Sequence, residues 1–190
     1  MIFFQPFFLP SVHEVNTYII GCKETKEALL VDAGGDSPDY DAFLQTHQAK
    51  LTGIFLTHLH WDHDGGLDDI LKRFHVPVYS MTGNTPNGQS VREGHSIPLG
   101  KVKTQVCQTT GHTPNSIMLV VEKRLAFVGD ALFAGSIGGT SSQAAQDEEK
   151  DNILRKIFTL PEDTLICPGH GPMTTVKIEK TANPFFQNAS

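Results

Sequence analysis

Residues 57–63 read Thr-His-Leu-His-Trp-Asp-His and place three histidines and a carboxylate within six positions. His58 and His60 are two residues apart, so at the end of a strand their side chains project to the same side. Asp62 and His63 are adjacent and therefore point to different sides. Imidazole and carboxylate groups suit zinc, and also iron or manganese. The segment predicts ligands divided between two neighbouring metal positions.

Three further segments share one pattern, in which a short apolar run typical of a strand is followed by a glycine beside a potential ligand. The runs 102–106, 125–128 and 165–167 precede Gly111-His112, Gly129-Asp130 and Gly169-His170, respectively. Glycine lets the backbone turn sharply next to a ligand, and a strand end is a rigid support. Each of these residues alone is typical of an ordinary loop. Together with residues 57–63 they predict the partners that a two-metal site requires.

These ligands fall into an ordered pattern along nearly the whole chain: His58, His60, Asp62, His63, His112, Asp130 and His170. In this order they resemble the metallo-β-lactamase-fold hydrolases, and residues 16–18 and 31–34 fit the same resemblance. Residues 132–138, 168–175 and 183–185 are similar to the short glyoxalase II-like branch, the hydroxyacylglutathione hydrolases. The resemblance implies a four-layer αββα sandwich.

The resemblance also implies a ligand set and a mechanism. One metal ion is expected on His58, His60 and His112, the other on Asp62, His63 and His170, with Asp130 as the bridging carboxylate. Two divalent ions, zinc before iron or manganese, would share a hydroxide that attacks the substrate carbonyl. Asp62 is the expected catalytic residue, because it would accept a hydrogen bond from this hydroxide and orient the attack.

The expected reaction is hydrolysis of a small-molecule thioester or ester, such as S-lactoylglutathione. Because the fold hosts many chemistries, lactones, other esters, β-lactams and persulfide oxidation at a single iron remain alternatives. Flavodiiron-type electron carriers are disfavoured, since they normally have Glu where His60 stands. RNA-processing members are longer and more basic. A binding-only module would be marked by a missing ligand, and here every position is filled.

Two departures from the glyoxalase II-like pattern concern the substrate. Residues 139–141 read Gly-Thr-Ser where that branch usually has an Arg-Thr-Asp segment. The sequence continues for only 20 residues after His170, up to Ser190, without the helical domain that helps full glyoxalase II enzymes to bind glutathione. We therefore expect weak hydrolysis of hydroxyacylglutathione, or a different thioester or ester as substrate.

Composition is consistent with one globular domain over residues 1–190, since apolar residues are 39% of the chain and charged residues 19%. The net charge of −6 and the absence of a basic cluster argue against a nucleic-acid partner. No apolar run reaches about 18 residues, so no membrane span is predicted. Residues 1–8 are apolar but lack a positive region and contain Pro6, which favours an edge strand over a signal peptide and predicts a cytoplasmic protein.

The cysteines agree with a reducing compartment, because Cys22, Cys107 and Cys167 are far apart and form no CxxC pair. Cys22 and Cys107 are expected to pack in or beside strands. Cys167 lies three residues before His170, and a small buried residue is favoured there over a metal ligand.

Periodicity predicts a layered α/β protein made of two strand-rich halves with outer helices. The predicted strands are 15–21, 28–32, 51–57, 76–80, 101–106, 116–121, 125–128 and 164–167. The predicted helices are 39–47, 65–74 and 147–158, and residues 81–96 are predicted to form a loop.

Several side chains outside the ligand pattern have two interpretations each. Asp32 either orients a ligand histidine or caps the following glycine turn. Trp61 is either a lip of the cleft or a packed aromatic residue. The pair Phe185-Phe186 docks on the protein itself or on a second subunit, and the oligomeric state stays open. Among the remaining histidines, His47 and His75 are expected at the surface, whereas His13 and His95 lie in loops that can border the cleft.

Overall fold

The first half of the chain forms a six-stranded mixed sheet in a computed structural model that describes residues 1–187. Its strands, in spatial order, are β1 (Ile2–Leu9), β2 (Val15–Cys22), β3 (Glu27–Val31), β4 (Lys50–Phe55), β5 (Val78–Ser80) and β6 (Gly88–Ser90). Strands β1 to β3 are antiparallel, and β3 to β6 run parallel. The parallel strands are connected through α1 (Pro38–Thr46), the single turn α2 (Trp61–Asp64) and α3 (Leu67–Arg73).

The second half forms a five-stranded sheet in the order β13-β12-β9-β8-β7. Its strands are β7 (Thr104–Gln108), β8 (Ile117–Val121), β9 (Leu125–Gly129), β12 (Leu165–Pro168) and β13 (Thr174–Thr175). A small hairpin, β10 (Leu132–Phe133) and β11 (Ser136–Ile137), follows β9. Helix α4 (Gln143–Asn152) continues into a π-helical turn (Ile153–Ile157), and α5 (Val176–Ala182) follows β13.

Three apolar clusters separate four layers. The cluster between the sheets includes Tyr18, Phe55, Leu119 and Phe127. The outer clusters lie between the first sheet and its helices, with Leu30, Tyr40 and Ile70, and between the second sheet and its helices, with Val120, Ile153 and Val176. Burial of each large side chain contributes about 1.5–3 kcal/mol. The αββα sandwich expected from the sequence is therefore confirmed.

Local interactions explain where predicted and observed elements differ. The helix predicted from residue 147 begins at Gln143, because the Ser142 side chain accepts a hydrogen bond from the Ala145 amide and caps it. The strand predicted at 101–106 lies at Thr104–Gln108, after a turn in which Gly100 has a φ of 57°. The prediction of a loop over 81–96 was wrong at β6, which exists only through parallel pairing with β5.

Smaller predictions are confirmed by packing. The three cysteines are buried and free, and β1 is an edge strand that pairs with β2. The docking of Phe185-Phe186 was left open by the sequence, and the ring of Phe186 lies 4.8 Å from that of Phe158 on the protein's own body.

Within residues 1–187, no helix combines the length and apolar character needed to cross a membrane.

Candidate metal centre

One edge of the sandwich brings together all seven side chains that the sequence singles out as ligands. We call this set the ligand cluster; it comprises His58, His60, Asp62, His63, His112, Asp130 and His170. The residues come from the segments that follow β4, β7, β9 and β12, so strand ends support each of them. Asp62 and His63 lie in the helical turn α2, between the strand predicted at 51–57 and the helix predicted from residue 65.

Three imidazole nitrogens converge on one side of the cluster. Nδ1 of His60 is 3.0 Å from Nε2 of His58 and 3.1 Å from Nε2 of His112. Burial, followed by the neighbouring His63, lowers the pKa of His58 to about 2, and burial and His112 also lower the pKa of His60. Neutral imidazoles offer lone pairs, so this arrangement fits a metal cation.

The second group consists of Asp62, His63 and His170, whose ligand atoms lie within 4.8 Å of one another. Nε2 of His170 is 3.3 Å from Oδ2 of Asp62. A carboxylate beside two imidazoles is again a ligand set for a divalent transition metal.

Asp130 lies between the two groups. Its Oδ1 is 3.2 Å from Nε2 of His63, and its Oδ2 is 3.6 Å from Nε2 of both His112 and His170. Burial opposes ionisation of Asp130, but the facing His63 imidazole outweighs burial and lowers its pKa to about 2. An ionised carboxylate between two imidazole groups fits a ligand shared by two cations.

Two buried polar atoms in the cluster test whether metal ions fit. Nε2 of His63 and Oδ1 of Asp130 lie 3.2 Å apart, and in the neutral imidazole, whose single proton is on Nδ1, neither atom has a hydrogen-bond partner among the described residues. Leaving a buried polar atom unsatisfied costs about 1–3 kcal/mol, so such atoms are rare in folded proteins. Both atoms face the cluster interior, where a cation would satisfy them. The residues present therefore fit the metal ions that the resemblance implies.

Of the two interpretations of Asp32, the structure supports the one in which its carboxylate orients His63. Its Oδ2 accepts a hydrogen bond from Nδ1 of His63 at 2.9 Å, and its Oδ1 accepts one from the Thr57 amide at 2.8 Å. In the neutral imidazole, the proton on Nδ1 leaves the lone pair of Nε2 directed at Asp130. Burial opposes protonation of His63, yet the carboxylates of Asp32 and Asp130 raise its pKa to about 10. Positive charge is thus stabilised at this position.

Backbone atoms position the remaining ligands. Nδ1 of His112 donates to the carbonyl oxygen of Gly139 at 2.7 Å, which directs Nε2 toward His60. Gly169 permits the close packing of the two halves, because a Cβ at this position would lie 2.1 Å from Oδ1 of Asp130 and 2.5 Å from Cε1 of His63. Any side chain at position 169 would displace these ligands.

Aromatic side chains border the cluster at two places. Trp61 is 57% exposed, and its ring lies 4.5 Å from that of His13 at the tip of the β1–β2 hairpin. Phe133 lies on the other side, 6.2 Å from the ring of His170. His95 instead lies beside β7, and His47 stacks on Phe3 at the end of α1.

Sequence reasoning missed Glu149, a fully buried carboxylate on α4 behind His112. A Cβ added to Gly111 would lie 2.2 Å from the Cβ of Glu149, so α4 packs directly against this glycine. The signal was present: Glu149 stands four residues before Ile153 and eight before Ile157, on the apolar face of the helix.

An αββα sandwich that carries a His/Asp cluster capable of binding metal ions defines a class of metal-dependent enzymes. Residues 11–90 and 83–170 match the family model described as the Metallo-beta-lactamase superfamily. The chain belongs to this superfamily.

Two relatives and one solved structure are similar to this chain over most of its length. The probable metallo-hydrolase YqgX of Bacillus subtilis is 30% identical, over 93% of this chain and 94% of its own length. The hydroxyacylglutathione hydrolase GloC of Haemophilus influenzae is 28% identical, over 88% of this chain and 91% of its own. The crystal structure of ETHE1 from Myxococcus xanthus matches with a TM-score of 0.84 and 31% identity, over 99% of this chain and 86% of that chain.

Proposed function

We propose that the protein is a metal-dependent hydrolase that cleaves a small-molecule thioester. The observation that carries this proposal is the position of Asp130 between two groups of ligands, with its buried Oδ1 and Nε2 of His63 unsatisfied. This arrangement supports two cations rather than one, because each group alone provides three further ligand atoms.

In this proposal the seven cluster residues are divided as the resemblance implies. His58, His60 and His112 would hold one divalent ion, Asp62, His63 and His170 would hold the other, and Asp130 would serve as the carboxylate between them. Zinc is the first choice of metal, with iron or manganese as alternatives for the same donors. When bound, two such ions supply a water of lowered pKa and a Lewis acid for the substrate carbonyl.

Asp62 is proposed as the catalytic carboxylate. Its side chain is 13% exposed, and Oδ2 lies 3.3 Å from His170, at the border between the cluster and solvent. A carboxylate at this border accepts a hydrogen bond from the attacking water and orients the oxygen toward the carbonyl carbon. Water adds to that carbon, the carbon–sulfur bond breaks, and the products are a carboxylic acid and a thiol.

The thioester is chosen for two reasons. The similarity to GloC, named as a hydroxyacylglutathione hydrolase, covers most of both chains. A thiolate is also a stable leaving group, so the site needs no strong general acid on the sulfur side. His60 is exposed at the cluster, so a carbonyl oxygen can reach this side from solvent.

The test combines metal content with turnover of S-lactoylglutathione, following thiol release with and without oxygen. About two metal ions per chain and thiol release independent of oxygen are the expected results. The variant Asp130→Asn should lose at least one ion and at least 100-fold in kcat, in the range of a lost catalytic group. The exposed Asp163→Asn serves as the matched control and should retain both properties.

One iron per chain with oxygen uptake on glutathione persulfide would contradict the proposal and favour the alternative reaction, persulfide oxidation at a single iron. Two metal ions without thiol release, both from S-lactoylglutathione and from a thioester of a neutral thiol, would refute the thioester and direct the search to lactones and other esters. Metal binding without turnover of any ester, thioester or lactone would refute the hydrolase itself.

A further inference from the structure

The loops that surround the ligand cluster have an unusual charge pattern. We call them the metal edge; they are residues 9–15, 32–37, 57–64, 109–115, 130–143 and 168–173. Each contains a cluster residue or contacts one, for example through the Val15–His170 bridge and the Asp32–His63 hydrogen bond. These described segments contain no Lys or Arg. Their Asp and Glu residues are Glu14, Asp32, Asp36, Asp62, Asp64 and Asp130.

Four of these six carboxylates have partners in the centre or in a neighbouring helix. Asp62 and Asp130 belong to the ligand cluster, and Asp32 bonds to His63. Asp36 pairs with Arg73, a residue of α3 that is also bound by Asp41. The charge that remains toward solvent comes from Glu14, which is exposed, and from Asp64, which is half-buried beside the cluster.

The hairpin tip places Glu14 at the metal edge. His13 and Glu14 both have left-handed backbone conformations, with φ of 46° and 57°, which turn the chain sharply before β2. His13 contacts the ring of Trp61, and Asn16 donates to the carbonyl oxygens of Pro168 and Gly171 on either side of His170. The tip therefore packs on Trp61 beside the cluster, and Asn16 near the start of β2 is anchored to the segment that carries His170.

Apolar surface accompanies this negative charge. Trp61 is 57% exposed directly between two cluster residues, and Met173 is 39% exposed three residues after His170. Trp61 therefore presents an apolar surface beside the cluster, whereas Met173 lines a hollow with Pro6 and Phe8 that no cluster residue lines. A negatively charged carboxylate on the ligand would meet like charge and apolar surface here.

From these observations we infer that the centre selects thioesters whose thiol part is uncharged and apolar, with Trp61 as its contact surface and Glu14 excluding anionic thiols. The inference rests on the proposed function and names its substrate class. The charge of the cluster with its ions acts on the carbonyl of every thioester alike. A comparison of two thioesters with the same acyl group therefore isolates the contribution of the metal edge.

The matched probes are the lactoyl thioesters of benzyl mercaptan and of 4-(mercaptomethyl)benzoate, which differ only in a remote carboxylate. At low ionic strength kcat/KM should be about tenfold higher for the neutral probe, at the lower end of electrostatic effects on association. Added salt should reduce this ratio, since exposed charges are screened. Glu14→Lys should lower the ratio at least threefold, whereas Glu162→Lys, an equal charge change at an exposed residue before β12, should leave it unchanged.

A binding measurement separates this inference from the proposed function. Trp61 is the single tryptophan of the chain, so its fluorescence reports ligands at the metal edge. Thioethers in which a methylene replaces the carbonyl of each probe bind without turnover. Tighter binding of the neutral thioether supports the inference, and Trp61→Ala should raise its inhibition constant about fivefold through the lost aromatic contact.

Equal or tighter binding of the anionic thioether would overturn the inference, and so would an equal or higher kcat/KM for the anionic thioester. If the neutral thioether binds more tightly but neither thioester is hydrolysed, the selectivity stands and the proposed thioester hydrolysis fails. A change of fluorescence that persists in Trp61→Phe would show that the signal has another source and would overturn the role of Trp61.

Discussion

The carboxylate of Asp32 accepts a hydrogen bond from Nδ1 of His63 at 2.9 Å, and both side chains are fully buried. This contact joins the turn after β3 to the helical turn α2, 31 residues further along the chain. It determines which nitrogen of His63 is free for the cluster, since the bonded nitrogen carries the proton. Asp32, which lies outside the ligand cluster, thus fixes the orientation of His63, which belongs to it.

Removal of this contact should weaken the second metal position. We expect Asp32→Ala to raise the dissociation constant of one of two zinc ions by about 10- to 100-fold, because the His63 ring loses its orientation. Competition with a chromophoric chelator measures both constants. Asp39→Ala, at an exposed residue of α1, should leave both unchanged. Equal affinities in Asp32→Ala and the wild type would contradict the orienting role.

Close packing at Gly169 should be essential for the site. A methyl group there would lie 2.1 Å from Oδ1 of Asp130, so we expect Gly169→Ala to bind fewer than two zinc ions per chain. Gly139→Ala is the matched control, because a Cβ at that position has no heavy atom within 4 Å. Metal content by mass spectrometry and circular dichroism distinguish a local loss from unfolding. Full occupancy in Gly169→Ala would show that the cluster tolerates the methyl group.

Metal removal should destabilise the folded chain. Cations that satisfy Nε2 of His63 and Oδ1 of Asp130 stabilise the native state, and excess free metal at 100 times its dissociation constant contributes at most about 2.7 kcal/mol per site, the value without binding to the unfolded chain. We expect a chelator to lower the Tm measured by calorimetry and zinc to restore it. In Asp130→Ala the difference in Tm between the zinc-loaded and chelated forms should be smaller than in the wild type. An unchanged Tm on chelation would argue against structural coupling of the site.

Glu149 should make stability fall as pH rises. It is fully buried, its two carboxylate oxygens have no hydrogen-bond partner among the described residues, and burial raises its pKa from 4.5 to about 8. Between these two values the folded chain holds a proton that the unfolded chain has lost. The free energy of unfolding therefore decreases as pH rises through this interval.

The variant Glu149→Gln isolates this effect, because the amide does not ionise. In metal-free protein we expect Gln at this position to be more stable than the wild type by about 1–3 kcal/mol at pH 9, and by much less at pH 5. Urea unfolding at both values measures the difference. Glu148→Gln on the exposed neighbouring position should show no such pH dependence. A constant difference between Glu149→Gln and the wild type would exclude a buried titrating carboxylate.

Local sequence determined the elements that depend on neighbouring residues. The strands that became β2, β3 and β8, the helix α1 and the glycine beside each later ligand were all readable, because strand and helix periodicity act over a few positions. The order of the ligands along the chain was sufficient to predict the family and the αββα fold. The structure brings these seven side chains together, and their role as metal ligands stays a prediction.

Only the tertiary structure decided which distant groups meet. Strand β6 is ordered by pairing with β5, Asp32 finds His63 across 31 residues, and Glu149 is buried because its helix packs against Gly111. The charge of the metal edge likewise depends on six separate segments folding to one side. Contacts of this kind depend on the packing of layers, which no local pattern encodes, because burial and electrostatic fields sum over residues that are remote in sequence.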